Sequence, residues 1–175
     1  MSLIPDVLQT LRSTEMLLFA VLADLDREAL TKRPAPNEWS VVEVLCHLRD
    51  LEREVFPVRT ELIRRNDSSL IQGFDQNAWA LERDYAGDDP RRAADEFTLC
   101  RRKNLLMIEQ IRDDELEKKA RHSEFGELTL RALLADWAGS DLVHTAQLQR
   151  IRLWRFYPEL GPFQKYFNSA LRIKS

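Results

Sequence analysis

The sequence predicts an all-α fold, a four-helix bundle with a long crossover between its second and third helices, on three observations. Four stretches carry apolar residues at helical spacing. Gly and Pro number only 5 and 7, too few turn formers for a sandwich or barrel of many short strands. One internal stretch, residues 67–89, has no sustained period and separates the second stripe from the third.

The first helix is expected from about Pro5 to Ala29, with Pro in the first turn, where its missing N–H costs nothing. Leu8, Leu11, Leu18, Leu22 and Leu25 form its stripe. After a Pro-containing connector at 31–37, the second helix opens with Ser40 as N-cap and Glu43 completing a capping box, and Trp39 can staple onto Val44. Its stripe (Val41, Val44, Leu48, Leu51, Val55, Leu62) runs to about Asn66, with a kink expected at Pro57. The crossover follows, with at most a short helical turn near Ala78 and Trp79. A loop of that length in a compact domain suggests function or a cover over the bundle.

Asp89 and Pro90 then supply the N-cap and first position of the third helix, whose stripe is Ala93, Phe97, Cys100, Leu105, Ile108 and Ile111. A turn or hairpin at 121–127, containing His122, precedes the fourth helix, which Thr129 caps. Leu130, Leu133, Leu134, Trp137, Leu148 and Ile151 carry its inner face to about Tyr157. Two short links and one long one make the second and third helices parallel, with the first and fourth antiparallel to them.

A chain of 175 residues is read as a single domain, 1–175, with 158–175 a C-terminal tail packed back through Phe163, Tyr166 and Phe167. The net charge of −3, from 26 basic and 29 acidic residues, gives no electrostatic footprint for nucleic acid. The many arginines are expected on solvated helix faces. Cys46 and Cys100 sit alone in helical patterns and are read as small buried apolar residues, not as a disulfide or a zinc framework. No segment reaches the ~18 apolar residues a membrane span needs, and the N-terminus lacks a basic leader. The expectation is a cytoplasmic protein without membrane or nucleic-acid partners.

Function must come from polar residues that interrupt the apolar stripes. At about 100° per residue, His144 falls in the middle of the fourth stripe and His47 at the edge of the second. Asn104 falls within the third stripe and Glu15 within the first. Two inward histidines on different helices of a bundle point toward a metal site, because such sites are built between facing helices. Each of the four also has a plainer reading as a hydrogen-bonded core residue.

The stretch Asn37–Leu48, with Trp39, Ser40, Glu43, Leu45 and His47, resembles the W-S-x-x-E-x-L-x-H-L segment of the DinB/YfiT-like superfamily. Gly126–Leu134 resembles the G-x-x-T-L-x-x-L-L opening of that family's last helix, and Ser140–Leu148 resembles its H-D-x-x-H-x-x-Q-I segment. The resemblance implies a four-helix bundle, often a homodimer, in which many members hold a divalent metal such as zinc or nickel through three His. Related members are metal-dependent hydrolases or thiol S-transferases acting on small molecules. Carried over by position, His47 and His144 match two ligands, and Ser140 stands where the third His belongs. A neutral serine hydroxyl is a poor ligand, so the metal is expected to be weakly bound or absent. Asp141 and Glu15 are the carboxylates that could substitute, although the family carries Asp at the first position beside intact triads.

Two functions are therefore open: a hydrolase or thiol transferase acting on a small molecule with a degenerate His triad, or a metal-independent binding or interaction protein on the same scaffold. Glu15, Asn104, Ser140 and Asp141 are the pocket candidates in either case.

Overall fold

The computed structural model describes residues 3–67 and 70–171. The bundle consists of α1 (Leu3–Asp24), a second helix in two α-helical parts, α3 (Val41–Asp50) and α4 (Phe56–Arg64), then α6 (Pro90–Glu109) and α7 (Leu130–Phe156). Shorter elements join them: α2 (Arg27–Thr31), α5 (Gln76–Glu82), a hairpin of β1 (Lys119–His122) and β2 (Gly126–Thr129), and the terminal α8 (Gln164–Phe167).

Side-chain pairs fix the helix directions. Arg12 meets Glu109 and Glu15 meets Arg102, so α1 and α6 are antiparallel. Thr14 meets Asp141 and Asp24 meets Arg152, so α1 and α7 are parallel. Arg49 meets Glu96 and Glu52 meets Asn104, which makes the second helix and α6 parallel, as a long crossover requires.

The expected caps are in place: Ser40 and Glu43 close the capping box, Asp89 accepts from the Arg92 amide, and Thr129 accepts from Ala132. Three elements differ from expectation. The first helix stops at Asp24, because Asp26 turns extended and caps α2 through the Ala29 amide. The second helix does not kink simply at Pro57. Leu51–Val55 form a π-helical turn, and Pro57 follows harmlessly in the first turn of α4. The wider turn delays the helix phase, so Ile63, and not Leu62, becomes fully buried.

The crossover holds more order than its sequence suggested. Asp75 caps α5 through the amides of Asn77 and Ala78. Ile71 bridges to His122 beside the hairpin. Tyr85, fully buried, donates its hydroxyl to Asp50 at 2.8 Å, and Arg83 reaches the same carboxylate at 2.6 Å. Arg49 spans Asp50 and Asp88, so the C-terminal arm of the crossover is pinned to α3. These pairings hold the Asp50 carboxyl below the usual range, against a burial that alone would raise it.

In the tail, Tyr157 donates to Asn168 and Leu171 is buried, but Phe163 and Tyr166 are exposed and do not pack back. Residues 172–175 of the tail and 68–69 of the crossover lie outside the described residues. Among the described residues, no helix is long and apolar enough to cross a membrane.

The apolar core is divided in two, and a polar layer lies between the halves. One half gathers Leu18, Leu48, Phe97 and Leu148; the other gathers Leu11, Leu51, Ile108 and Trp137. Arg101, fully buried in α6, sits at the break. Its guanidinium donates to the Leu11 carbonyl of α1 at 2.6 Å, to Asp141 of α7 at 2.6 and 2.9 Å, and to Glu52 at 2.8 Å. Thr14 completes Asp141 at 2.5 Å and the Trp137 indole completes Glu52 at 2.6 Å. The Asn104 amide bonds both the carbonyl and the carboxylate of Glu52, within the π turn. Cys100 and Leu105, expected on the inner face, are only half-buried, because Arg101 and Asn104 take that face.

Replacing Arg101 strands two buried carboxylates, so Arg101→Met should cost about 3–5 kcal/mol in urea unfolding. Arg102→Met, which breaks the exposed pair with Glu15, should cost no more than about 1 kcal/mol. Equal losses for the two would contradict the bridging role of Arg101.

Candidate functional site

His47 leaves α3 on its inner side and His144 leaves α7 opposite it. Their ring centroids are 4.7 Å apart in an edge-to-face arrangement. The α3 capping box positions Trp39 just before the helix, where its ring lies 5.0 Å from His47 and stacks 6.5 Å from His144. The histidines thus form the floor of a cavity of about 170 Å³, also lined by Ser140, Asp136, Arg59 and Gln76. Leu51, Val55, Phe56 and Phe74 supply its apolar wall. Through His144 and Gln76 the cavity adjoins a larger groove of about 380 Å³, whose lining includes Asn37, Asn77, Gln147 and Arg150.

Both imidazoles are kept neutral. Burial, and then the neighbouring His144, push His47 down to about 3, against a small opposing pull from Asp50. Burial also lowers His144. The Nδ1 of His144 lies 3.2 Å from the Gln147 amide oxygen. With an acceptor there, Nδ1 carries the proton and Nε2 keeps its lone pair. The Nδ1 of His47 is buried with no hydrogen-bond partner, a site that costs roughly 1–3 kcal/mol if left unmet. At the cavity edge, Arg59 is held below its usual value, first by burial. Partial desolvation beside the cavity raises the Asp136 carboxyl, with Arg59 and His122 opposing.

Of the residues singled out in sequence, His47, His144 and Ser140 come together; the other three do not reach the cavity. Glu15 pairs with Arg102 on the outside of the bundle, and the inward polar residue of α1 is Thr14, one position and about 100° away. Asn104 is buried on Glu52, and both oxygens of Asp141 are engaged by Arg101, with Thr14 adding to one. His122 is buried at the end of β1, where its Nδ1 accepts from the Glu124 amide of the hairpin turn.

Sequence reading missed Asp136, Arg59, Gln76 and Gln147. Asp136 lies four residues before Ser140 and eight before His144, so helical spacing alone would have found it. Arg59 gave no signal, because the π turn sets the phase of α4.

A three-imidazole metal centre is not what these residues make. The donors that converge are two imidazoles and the Ser140 hydroxyl, which binds zinc or nickel poorly unless it loses its proton. Neither Asp141 nor Glu15 is free to replace the missing ligand. Asp136 stands two helical turns, about 12 Å, from His144 along α7. Among the described residues, no group of three or more His, Cys, Asp or Glu is placed to hold a metal ion.

The sequence now places this architecture. Residues 10–148, which include both histidines and the whole polar layer, match the profile of the DinB superfamily. The chain belongs to the DinB superfamily. Its fold is that of YfiT from Bacillus subtilis, described as a probable metal-dependent hydrolase with an unusual four-helix bundle topology. The match has a TM-score of 0.75 over 85% of each chain, at 17% sequence identity. No curated protein matches the sequence. The DinB-type bundle confirms the expected fold class, and the four helices with their long crossover follow the expected order.

Neutral buried histidines make stability depend on pH. The unfolded chain takes up protons below about pH 6.5 while the folded His47 and His144 do not. Stability is therefore complete above that pH and declines as pH falls toward about 3, the folded value of His47. Each such residue contributes up to ~1.4 kcal/mol per pH unit. His122, also lowered by burial, adds to the decline. The lowered carboxyls of Asp50 and Glu43 act only at more acidic pH. Between about pH 6.5 and 4.5, the His47→Gln, His144→Gln double variant should lose at least about half of the wild-type slope in urea unfolding. An unchanged slope would contradict the neutral pair.

Proposed function

We propose that the His47–His144 cavity binds and acts on a small molecule, at a site related to the metal-dependent hydrolases and thiol transferases of the family. Its third ligand position is occupied by Ser140, so zinc or nickel is held weakly at most. The observation that carries this reading is the contact between two neutral imidazoles at a cavity floor, with a hydroxyl completing the donor set. The YfiT likeness supplies the hydrolase context for the reading.

The lowered values of both histidines decide what they can do without a metal. Neither is protonated at neutral pH, so neither serves as a general acid. As bases they are weak, because the most effective catalytic base titrates near the working pH. Their main capacity is to present lone pairs to a bound hydroxyl, thiol or water, with Nε2 of His144 oriented by Gln147. Ser140 and Gln76 add a hydroxyl and an amide at the same cavity.

The second reading, a metal-independent binding module, is favoured by the engagement of Asp141 with Arg101, which commits the carboxylate next to Ser140 to the core. A cytoplasmic homodimer belongs to the proposal and rests on the family resemblance.

Metal titration tests the site directly. Tag-free wild-type protein should bind zinc or nickel weakly in calorimetry, whereas Ser140→His restores an i,i+4 pair with His144 opposite His47. The variant should bind at one equivalent and roughly 100-fold or more tighter. Tight stoichiometric binding by the wild type, or no gain in the variant, would overturn the assignment of Ser140 as a lost ligand.

A further inference from the structure

The two formal charges lining the small cavity feel each other's field but form no salt bridge. Arg59, half-buried on α4, spends Nη2 on the Gln72 carbonyl at 2.9 Å and lies over the Phe74 ring, 5.8 Å from its centroid. It has no ion pair among the described residues. Asp136, exposed at the mouth on α7, has no hydrogen bond or ion pair among them either. Both line the same cavity, yet they remain outside salt-bridge range of one another.

Arg49, Arg83 and Arg101, by contrast, each take two or more carboxylates. The other charged group near Arg59 is Glu124, whose carboxylate packs over Gly73, and His122 influences Asp136. His47 and His144 are neutral and add no net charge to the cavity.

Charge complementarity selects the occupant. A simple anion drawn to Arg59 would face Asp136, and a simple cation drawn to Asp136 would face Arg59. An uncharged apolar ligand would displace water from both and answer neither. A molecule carrying both charges satisfies the two together. With about 170 Å³ in the cavity and about 380 Å³ in the adjoining groove, the site is of small-molecule size.

We propose that the cavity binds a small zwitterion of the amino-acid type, its carboxylate on Arg59 and its ammonium on Asp136, with its carbon chain against Phe74 and Leu51. The spacing of the two charges, in an α-amino acid or a longer ω-amino acid, is set by the Arg59–Asp136 gap. This inference rests on the reading of the His47–His144 cavity as a small-molecule site.

Calorimetry and thermal unfolding with the twenty L-α-amino acids, β-alanine, γ-aminobutyrate and 6-aminohexanoate, beside butyrate and butylamine, provide the test. At least one zwitterion should bind saturably and raise the melting temperature. The two single-charge analogues should bind at least about 10-fold more weakly, as should the zwitterion to Arg59→Gln and to Asp136→Asn. Circular dichroism confirms that each variant is folded, and Asp136, being exposed, gives a variant that does not disturb the core. Saturable binding of no panel member would overturn the proposal, as would equal binding of butyrate or unchanged binding by both variants. The His47→Gln, His144→Gln variant separates the two readings. Binding that needs the histidines but neither Arg59 nor Asp136 removes the zwitterion and keeps the small-molecule site. Binding that needs Arg59 and Asp136 but not the histidines keeps the zwitterion and removes the histidines' role.

Discussion

The guanidinium of Arg101 touches all four bundle helices: its own α6, α1 through the Leu11 carbonyl, the π turn through Glu52, and α7 through Asp141. A buried cation of this kind is expensive to desolvate, and its attraction to two carboxylates offsets that cost only when the geometry is met on every side. The arrangement therefore adds less to stability than to register. Sliding α6, α7 or the second helix by a residue would leave a charge unpaired between the two apolar halves of the core, and sliding α1 would break the bonds made by Leu11 and Thr14. The Arg101 Nε, which has no partner, marks where even this network is incomplete.

The candidate site inherits its geometry from that layer. Asp141 fixes α7 one turn from His144, and Glu52 fixes the second helix a little over one turn from His47. The π turn has a physical cause in the same place. Asn104 donates to the Glu52 carbonyl, and a side chain inserted into a helix ladder favours a local change of pitch. That change rotates α4 and brings Phe56 and Arg59 to the cavity wall. In this chain Asp141 is thus a structural ion-pair partner.

A single sequence made much of the bundle legible, for reasons that lie in particular residues. Ser40, Asp89 and Thr129 marked helix starts because capping depends on chemistry a few residues away. The α7 stripe from Leu130 to Ile151 was read correctly because a straight helix keeps its phase. His47 and His144 followed from the same spacing, aided by the family resemblance. Leu62 was misassigned because a π turn alters the phase without leaving a clear mark in composition. Arg101 was passed over as one of many surface arginines, although Phe97, Arg101, Asn104 and Ile108 stand at helical spacing. Glu15 was chosen over Thr14 because one residue's error on a helix turns the side chain by about 100°.

What the sequence determined by itself was local and periodic: the caps, the stripes, the single long crossover and the two inward histidines. Tertiary structure decided which polar groups were already committed. Asp141 and Asn104 face inward as their spacing required, but partners from other helices consume them, whereas Arg59 and Asp136 share a cavity without a salt bridge between them. Spacing along one helix sets the direction of a side chain. Whether its hydrogen-bonding capacity remains available depends on residues 40 to 130 positions away, and these meet only when the helices pack.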